Sequence, residues 1–310
     1  MLVLNGRAKS VDRLAFSPDA SLLAAAGDHL QPLDVWAIDF PHQLRHRFAV
    51  DLYKWVWNFC FTPDRLLITT DGTEVVAFDS TTSDELWRVE PRRNSPVAGL
   101  SVSDDGRQLA VALLFQNLEK GYQWWELNGR EPPKRKRSMK GSANFYCFGI
   151  IFVPSSDLLI AAEIATTDLP PETPAQIHML SATGRSVRIL STPFRHVQQL
   201  AVSASGHYLA AQFQHAVLVW DLNAIEQPPV KLKKESRLAF TGIAFHPSEK
   251  YLAATSNDAT VKLYDTTTWE VTKTFIWKIG KMRGVCFSPD GTLAAAGSDS
   301  GKVVVWDVDV

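Results

Sequence analysis

A short phrase recurs at nearly regular intervals along the whole chain of 310 residues. It is an apolar residue, usually Phe, followed by a small residue and a turn built from Pro, Asp, Gly or Ser, as in FSPD at 16–19 and 287–290. The seven copies begin at residues 16, 61, 102, 152, 202, 245 and 287, so the intervals are 45, 41, 50, 50, 43 and 42 residues. A period of about 40 to 50 residues indicates a propeller or a solenoid.

Each repeat predicts four short strands. An alternating apolar run such as MRGVCF leads into the phrase, and a second run rich in small residues, such as KYLAAT, follows it. A third run ends on an aromatic residue and usually an acid, and a weaker fourth run precedes the next copy. Alternation with a period of two is typical of strands, whereas helical repeats would need a period of 3.6. The pattern therefore predicts one four-stranded antiparallel sheet per repeat.

Over its whole length the chain resembles the WD40-repeat family of β-propellers. The likeness is carried by VWD at 219–221 and 305–307, each after a strand pair opened by the repeated phrase. The resemblance implies an all-β fold, in which a single domain over 1–310 forms a seven-bladed propeller with four-stranded antiparallel blades. Such blades must stack, since one sheet cannot bury both of its faces alone.

The last repeat ends three strands into its blade, at KVVVWDVDV, whereas the alternating run MLVLN precedes the first copy of the phrase. We predict that residues near 2–5 pair with 303–308 and complete the last blade. A ring closed in this way leaves no sheet edge of the array open to other chains.

WD40 repeats often carry a buried network of His, Asp, Ser or Thr, and Trp. Here no Gly-His dipeptide precedes the first strand of any repeat. The Asp position is filled by Asp258 in repeat six, but by Gly72, Gln214 and Ser300 in repeats two, five and seven. Stability is therefore expected to rest on apolar packing between blades, at about 25 cal/mol per Å² of buried area.

Composition favours a soluble protein of a reducing compartment, which we expect to be cytoplasmic. A monomeric state in isolation and the absence of a cofactor are separate expectations. The formal net charge of −1 gives no overall attraction to nucleic acid or anionic lipid. The first residues lack the order of charges and the apolar core of a secretory signal, and no run reaches the roughly 18 apolar residues of a membrane span. Cys60, Cys147 and Cys286 form no CxxC pair and lie in apolar runs, so free buried thiols are expected.

The resemblance also implies a binding site. In such propellers, ligands commonly meet the edge of the blades that carries the loops into the first strands and the turns between the second and third strands; we call this edge the mouth face. Carried over to this sequence, the expected partner-binding residues are Asp12, Trp55, Trp57, Asp71, Tyr146, Phe148, His196, Gln198, Phe213, Thr241, Asn257, Lys281, Arg283 and Asp299. Trp, Tyr and Arg dominate binding energy at interfaces. The alternative for Trp55 and Trp57 is packing between blades, because they share alternation parity with Phe59 and Phe61.

Two segments lengthen the intervals between copies of the repeated phrase. The first, 128–142, is predicted to be an insertion that joins blades three and four, and it carries five cations, Lys134, Arg135, Lys136, Arg137 and Lys140. A solvated loop flanked by Pro132 and Pro133 is the favoured interpretation, and docking of acidic peptide, phosphate or nucleic acid is the alternative. The second, 165–176, is rich in proline and is predicted to be an extended excursion between the second and third strands of blade four.

The favoured function is a non-catalytic scaffold that binds a protein or peptide. One alternative is a propeller enzyme, hydrolase- or lactonase-like, with a metal or acids at the central channel; Asp12, Asp71, His196 and Asp299 are its candidates. GSDSG at 297–301 is expected to be an ordinary turn, and no GxSxG, HExxH, P-loop or GxGxxG motif occurs. Nucleic-acid binding through the basic segment is the third hypothesis, which a steep salt dependence of affinity would reveal.

Overall fold

Seven four-stranded antiparallel sheets make up the fold. The computed structural model describes residues 1–27, 32–39, 43–50, 56, 58–114, 121–233 and 237–308. These residues form β-strands without any helix, and so contain no helix that could cross a membrane. The predicted fold class, a seven-bladed β-propeller with four-stranded blades, is confirmed. The chain divides into two compact units, and the single domain predicted over 1–310 stays a prediction.

One unit comprises Met1–Val56 and Ala201–Val310. Blade 1 consists of β2 (Arg13–Phe16), β3 (Leu22–Ala26), β4 (Leu33–Asp39) and β5 (Gln43–Val50). Blade 5 consists of β18 (Gln199–Val202), β19 (Tyr208–Phe213), β20 (Ala216–Asp221) and β21 (Val230–Lys231). Blade 6 consists of β22 (Phe240–Phe245), β23 (Tyr251–Ser256), β24 (Thr260–Asp265) and β25 (Val271–Ile276). Blade 7 consists of β26 (Met282–Phe287), β27 (Leu293–Ser298), β28 (Lys302–Asp307) and β1 (Leu2–Asn5).

The other unit comprises Trp57–Leu200. Blade 2 consists of β6 (Phe59–Phe61), β7 (Leu66–Asp71), β8 (Glu74–Asp79) and β9 (Glu85–Val89). Blade 3 consists of β10 (Val97–Val102), β11 (Gln108–Leu113), β12 (Tyr122–Asn128) and β13 (Glu131–Met139). Blade 4 consists of β14 (Phe145–Phe152), β15 (Leu158–Ala165), β16 (Gln176–Ser181) and β17 (Ser186–Ser191).

The repeated phrase forms the turn between the first and second strands. In blade 7, the Ser288 hydroxyl donates to Asp290 Oδ1 at 2.5 Å and accepts the Leu293 amide at 2.9 Å. In blade 1, Ser17 makes the same pair of bonds to Asp19 and Leu22, at 2.6 and 2.9 Å. The turn is therefore stabilised by hydrogen bonds of its own small polar residue and of the Asp two places later. Such side-chain bonds to nearby backbone are the reason that these residue types favour turns.

Hydrophobic cores lie between successive blades of each unit. Between blades 7 and 1, Leu23 and Trp36 pack with Val303 and Val305, and similar clusters join blades 2 to 3, 3 to 4, 5 to 6 and 6 to 7. The second strands are fully buried and rich in alanine, as in LLAAA of β3. Small side chains let the sheets stack closely, so burial of both faces of each blade supplies the main stabilising free energy.

The amino-terminal strand completes blade 7. Strand β1 pairs antiparallel with β28, in the register Leu2↔Val305, Val3↔Val304, Leu4↔Val303 and Asn5↔Lys302. The predicted pairing of residues near 2–5 with the last strand is confirmed. Leu4 packs against the core between blades 7 and 1, whereas Leu2 stays 43% exposed.

The prediction of a basic loop was wrong. Residues Glu131–Met139 form β13, the fourth strand of blade 3. The expectation was a solvated loop flanked by Pro132 and Pro133, but a proline is tolerated in an edge strand because no ladder partner needs its missing N–H. The predicted excursion at 165–176 does connect the second and third strands of blade 4, since β15 ends at Ala165 and β16 begins at Gln176.

Removal of residues 1–8 tests the closure of blade 7. We expect the melting temperature to fall by about 5–15 °C, because β28 loses its ladder partner and the core loses Leu4. Thermal unfolding followed by circular dichroism measures the change. Leu4→Asp should reproduce much of the loss and Leu2→Asp little of it; equal melting temperatures for the truncated and intact chains would contradict this pairing.

Candidate functional site

Two kinds of loop lie side by side at the mouth face: those that lead into first strands and those between second and third strands. Backbone hydrogen bonds of 2.8–3.0 Å join such loops of neighbouring blades within each unit. They run from Val97 N–H to Gly72 O, from Ala175 N–H to Phe194 O, from Phe240 N–H to Gln214 O and from Val11 N–H to Ser298 O. Because backbone groups make these contacts, the loops hold the mouth-face side chains on a stiff frame.

Three predicted site residues of blades 6, 7 and 1 come together. The Thr241 hydroxyl donates to Met282 O at 2.8 Å, next to Arg283 in the chain. Arg283 Nε lies 4.0 Å from Asp12 Oδ1. Thr241, Arg283 and Asp12 occupy equivalent places in their repeats, so consecutive first strands present them in a row.

Glycines permit this close approach of first strands. A Cβ atom at Gly242 would lie 2.6 Å from Arg283 O, and one at Gly284 would lie 2.6 Å from Asp12 O. Both contacts are shorter than a side-chain carbon can make, so only glycine lets the neighbouring backbone come so near. The sequence carried this signal, since glycine stands three residues before the phrase in four of the seven repeats, but sequence reasoning missed it.

Two polar side chains of blades 6 and 7 each have a buried atom without a partner. Arg283 Nε and Asn257 Oδ1 are buried and have no hydrogen-bond partner in the part of the chain that the structure describes. The Arg283 side chain as a whole is 34% exposed. The Lys281 backbone amide donates to Asp299 Oδ1 at 2.9 Å, and this bond does not use the Lys281 ammonium. Arg283 and the exposed Lys281 therefore both place a cationic group on this part of the face.

In the Trp57–Leu200 unit, Tyr146 and Phe148 are half-buried on β14, the first strand of blade 4. The strand bulges at Phe148, where the register shifts between Cys147 and Gly149. His196 and Gln198 are exposed before the first strand of blade 5. Desolvation of the ring and the positive charge of Arg195 lower the pKa of His196, which keeps this imidazole neutral at pH 7.

Two predicted site residues are not accessible, and placing them on a binding face was wrong. The Asp71 side chain is 2% exposed and accepts a hydrogen bond from Arg88 Nη1 at 3.1 Å, because a buried carboxylate needs a charged partner. Phe213 is 1% exposed, since a large apolar ring gains more by packing into the core. The exposed turn residues of blade 5 are Gln214 and His215. Trp55 and Trp57 lie outside the described residues.

The five cations of the basic segment, Lys134, Arg135, Lys136, Arg137 and Lys140, are all exposed. The first four stand on β13 and Lys140 follows it. These residues therefore form a charged strip along the fourth strand of a blade, whereas the mouth-face residues stand on or beside first strands and second-to-third turns.

A buried polar network at the junction of blades 3 and 4 was also missed. Glu163 on β15 is 1% exposed and accepts hydrogen bonds from the Tyr122 hydroxyl at 2.9 Å and the Ser142 amide at 3.0 Å. His178 Nε2 lies 3.2 Å from Glu163 Oε2. The available signal was a single acid inside the apolar run LLIAAEIA, together with a His in the atypical third strand QIHMLS.

Glu163 is held ionised by its partners. Burial raises the pKa of Glu163, but the hydrogen bond and charge of His178 and the hydrogen bonds from Ser142 lower it more, so the pKa lies below its ordinary value. Burial and the charges of Cys147 and Glu163 raise the pKa of Tyr122, so the phenol stays a donor. The network ties two blades together by charge-assisted hydrogen bonds rather than by apolar contact.

The hydroxyl groups of GSDSG make structural hydrogen bonds. The Ser298 hydroxyl donates to Lys302 O at 3.0 Å and Ser300 Oγ donates to Ile279 O at 2.5 Å, as in the ordinary turn predicted between β27 and β28. The three cysteines form no disulfide, and burial raises the pKa of Cys60 to about 12. Within the described ranges, His, Cys, Asp and Glu form no group of three or more that could hold a metal ion.

Comparison with known proteins bears out the resemblance to WD40-repeat proteins. Residues 233–265 and 271–307 match the model of the WD domain, G-beta repeat (WD40). The chain is 30% identical over 112 residues to the target of rapamycin complex subunit wat1 of Schizosaccharomyces pombe, covering 36% of this chain and 35% of that protein. It is 30% identical over 83 residues to the target of rapamycin complex subunit LST8-1 of Arabidopsis thaliana, covering 27% of each. It thus spans about a third or less of these curated relatives.

The fold has a full-length counterpart among solved structures. The β-propeller domain of Myceliophteria thermophila Cps50 (Swd1) superposes with a TM-score of 0.80 at 16% sequence identity, covering 99% of this chain and 100% of that domain. At such low identity the likeness shows the fold, a β-propeller, and nothing about partners.

Replacing Glu163 by Gln tests the buried network. We expect the free energy of unfolding at pH 7 to fall by about 2–4 kcal/mol, because a neutral amide cannot satisfy His178, Tyr122 and the Ser142 amide together. The pKa of Glu163 is lowered in the folded protein. The stabilisation that ionised Glu163 gives to the fold is therefore complete above its unfolded-state pKa of about 4.3, and it is lost as the pH falls through its folded-state pKa. The difference between wild type and Glu163→Gln in denaturant titrations should therefore shrink below pH 4.

The matched control is Glu131→Gln, at an exposed carboxylate on β13, which should change stability by less than about 0.5 kcal/mol. A Glu163→Gln protein as stable as Glu131→Gln at pH 7 would show that the network contributes nothing.

Proposed function

We propose that this chain, a seven-bladed propeller with WD40 repeats, is a non-catalytic cytoplasmic scaffold that binds a protein or peptide on its mouth face. A single domain over 1–310 and a monomeric state in isolation belong to the same proposal. The similar proteins wat1 and LST8-1 are subunits of the target of rapamycin complex, which favours a role in assembling complexes for this chain as well.

The availability of the Arg283 guanidinium carries the proposal. Its Nε makes no hydrogen bond in the described part of the chain, the side chain is 34% exposed, and Nε lies 4.0 Å from Asp12 Oδ1. The backbone beneath it is fixed by the close contact with Gly242. An arginine presented on a rigid strand with free donors is a residue type that dominates interface energies, because little entropy is lost when a partner carboxylate or carbonyl binds.

Half-buried aromatic rings supply the second kind of contact. Tyr146 and Phe148 stand on a first strand, at places in their repeat that match Lys281 and Arg283 in blade 7. Rings that are partly covered by their own chain are already ordered, so a partner gains apolar contact at little entropic cost. The unit with blades 6, 7 and 1 therefore offers a basic site, and the Trp57–Leu200 unit offers an aromatic site. The first suits acidic groups of a partner and the second suits apolar side chains.

Affinity capture from the native cells, combined with chemical cross-linking, tests this function. We expect a captured protein to cross-link next to mouth-face residues and to be lost with Arg283→Ala, whose removal should cost about 2 kcal/mol of binding free energy, or roughly 30-fold in affinity. Tyr146→Ala should also weaken capture. Both variants should melt within a few degrees of the wild type.

Arg188→Ala is the control, because Arg188 is also a half-buried arginine but stands on β17, the fourth strand of blade 4. Capture should be unchanged by this substitution. Binding at the mouth face would be refuted if the Arg283 and Tyr146 variants captured the partner fully while the Arg188 variant lost it.

A further inference from the structure

The edge strand β13 carries a strip of positive charge. It is the last strand in the sheet order β10-β11-β12-β13, so one of its edges has no ladder partner in the sheet. Lys134, Arg135, Lys136 and Arg137 stand consecutively on it, Lys140 follows, and all five are exposed. Positive charge along an open strand edge favours binding of a ligand with negative charge.

Three of the cations are held in place. The Arg135 guanidinium lies 5.9 Å from the Trp125 ring centroid, and its Nη1 donates to Pro91 O at 3.5 Å. Arg137 Nη1 donates to Ala182 O. Lys136 Nζ lies 2.6 Å from Glu126 Oε2. Arg135 and Arg137 thus reach to blade 2 on one side and blade 4 on the other, so the strip is oriented before any ligand arrives, which lowers the entropic cost of binding.

The other two cations are available. Lys134 and Lys140 make no hydrogen bond or ion pair with any residue that the structure describes. Lys134 also lines a cleft of about 600 Å³ between blades 2 and 3. Because Asp64, Asp105 and Glu126 lie in the same lining, the acidic side chains of a ligand are expected along the strand and not in this cleft.

We propose that β13 binds an acidic peptide in extended conformation, which adds to blade 3 as a fifth strand. Backbone groups of the free edge would supply affinity, and the cations would select carboxylate side chains. Pro132 and Pro133 lack N–H donors, so the new ladder would run along 134–139. The same charges repel basic strands, and a neutral strand would cover them without a compensating charge, which limits indiscriminate pairing at this edge. This surface goes beyond the proposed function, since it lies on a fourth strand and not on the mouth face.

A peptide fits this strip better than nucleic acid does. Proteins that hold single strands combine cations with aromatic rings on which the bases stack. Here the aromatic residues on the partner strand β12 are covered: Trp124 is 6% and Trp125 is 8% exposed. The strip therefore offers positive charge and backbone hydrogen-bonding groups but no accessible ring for base stacking. These are the groups that bind an extended acidic peptide.

Fluorescence anisotropy with the full chain tests the proposal. The probe is a short labelled peptide in which Glu and Val alternate. It is compared with three other ligands: the same peptide with Gln in place of Glu, the Glu peptide with alternate backbone amides N-methylated, and a single-stranded oligonucleotide of equal charge. We expect the Glu peptide to bind, and the Gln and N-methyl peptides each to bind about tenfold more weakly, because one loses charge and the other loses ladder donors. The oligonucleotide should bind more weakly than the Glu peptide.

The variant Lys134→Ala/Lys136→Ala/Lys140→Ala should weaken the Glu peptide about tenfold, since three exposed ion pairs are lost. The control Lys250→Ala/Lys273→Ala/Lys302→Ala removes three exposed lysines elsewhere and the same net charge, and it should stay within about twofold of wild type. Hydrogen exchange of the wild-type chain should also slow at 134–139 when the Glu peptide is added.

Any of four results would overturn the proposal. They are equal loss of binding in the two triple variants, tighter binding of the oligonucleotide than of the Glu peptide, unchanged affinity of the N-methyl peptide, and unchanged exchange at 134–139. The exchange measurement needs no variant, so it decides the matter even if a substituted chain folds poorly.

Discussion

The close approach of first strands is the constraint on which the mouth face depends. Gly242 and Gly284 let the backbone of the next blade come to within 2.6 Å of where a Cβ would stand, and the residues brought in by this contact are Arg283 and Asp12. Their side chains then project from a frame set by backbone contacts. The binding chemistry of this face thus follows from packing, because the absence of one methyl group decides where a guanidinium and a carboxylate lie.

Sequence reasoning predicted what depends on local chemistry. The phrase, with its Ser-to-Asp turn, gave the number and order of the blades, and alternation in MLVLN gave the strand that completes blade 7. It failed where the outcome depends on contacts with other strands of the same sheet. Whether Asp71 faces solvent depends on Arg88, 17 residues later, and whether KRKR forms a loop or a strand depends on pairing with β12. The pair of prolines pointed locally to a loop, and tertiary pairing overrode it.

The two proposed binding surfaces use different parts of the blade. First strands and their neighbouring turns are locked by blade-to-blade contacts, so side chains there can form a specific, preorganised site. A fourth strand has a free edge, so it can accept a further strand, and its cations determine which strand it accepts. Stability rests mainly on apolar contacts between blades, with the Glu163 network as an ionic tie between blades 3 and 4. A scaffold that must bind more than one segment gains from having both kinds of surface.

Substitution of one glycine tests the packing constraint most directly. A methyl group at Gly284 would meet Asp12 O at 2.6 Å, whereas one at Gly149, at the same place in its repeat, would have ordinary contacts of 3.8 Å with Ala162 and Leu200. Thermal unfolding should therefore show Gly284→Ala to be destabilised by about 1–3 kcal/mol or more, and Gly149→Ala to be unchanged or slightly stabilised by reduced unfolded-state entropy. Equal melting temperatures for Gly284→Ala, Gly149→Ala and wild type would contradict the account.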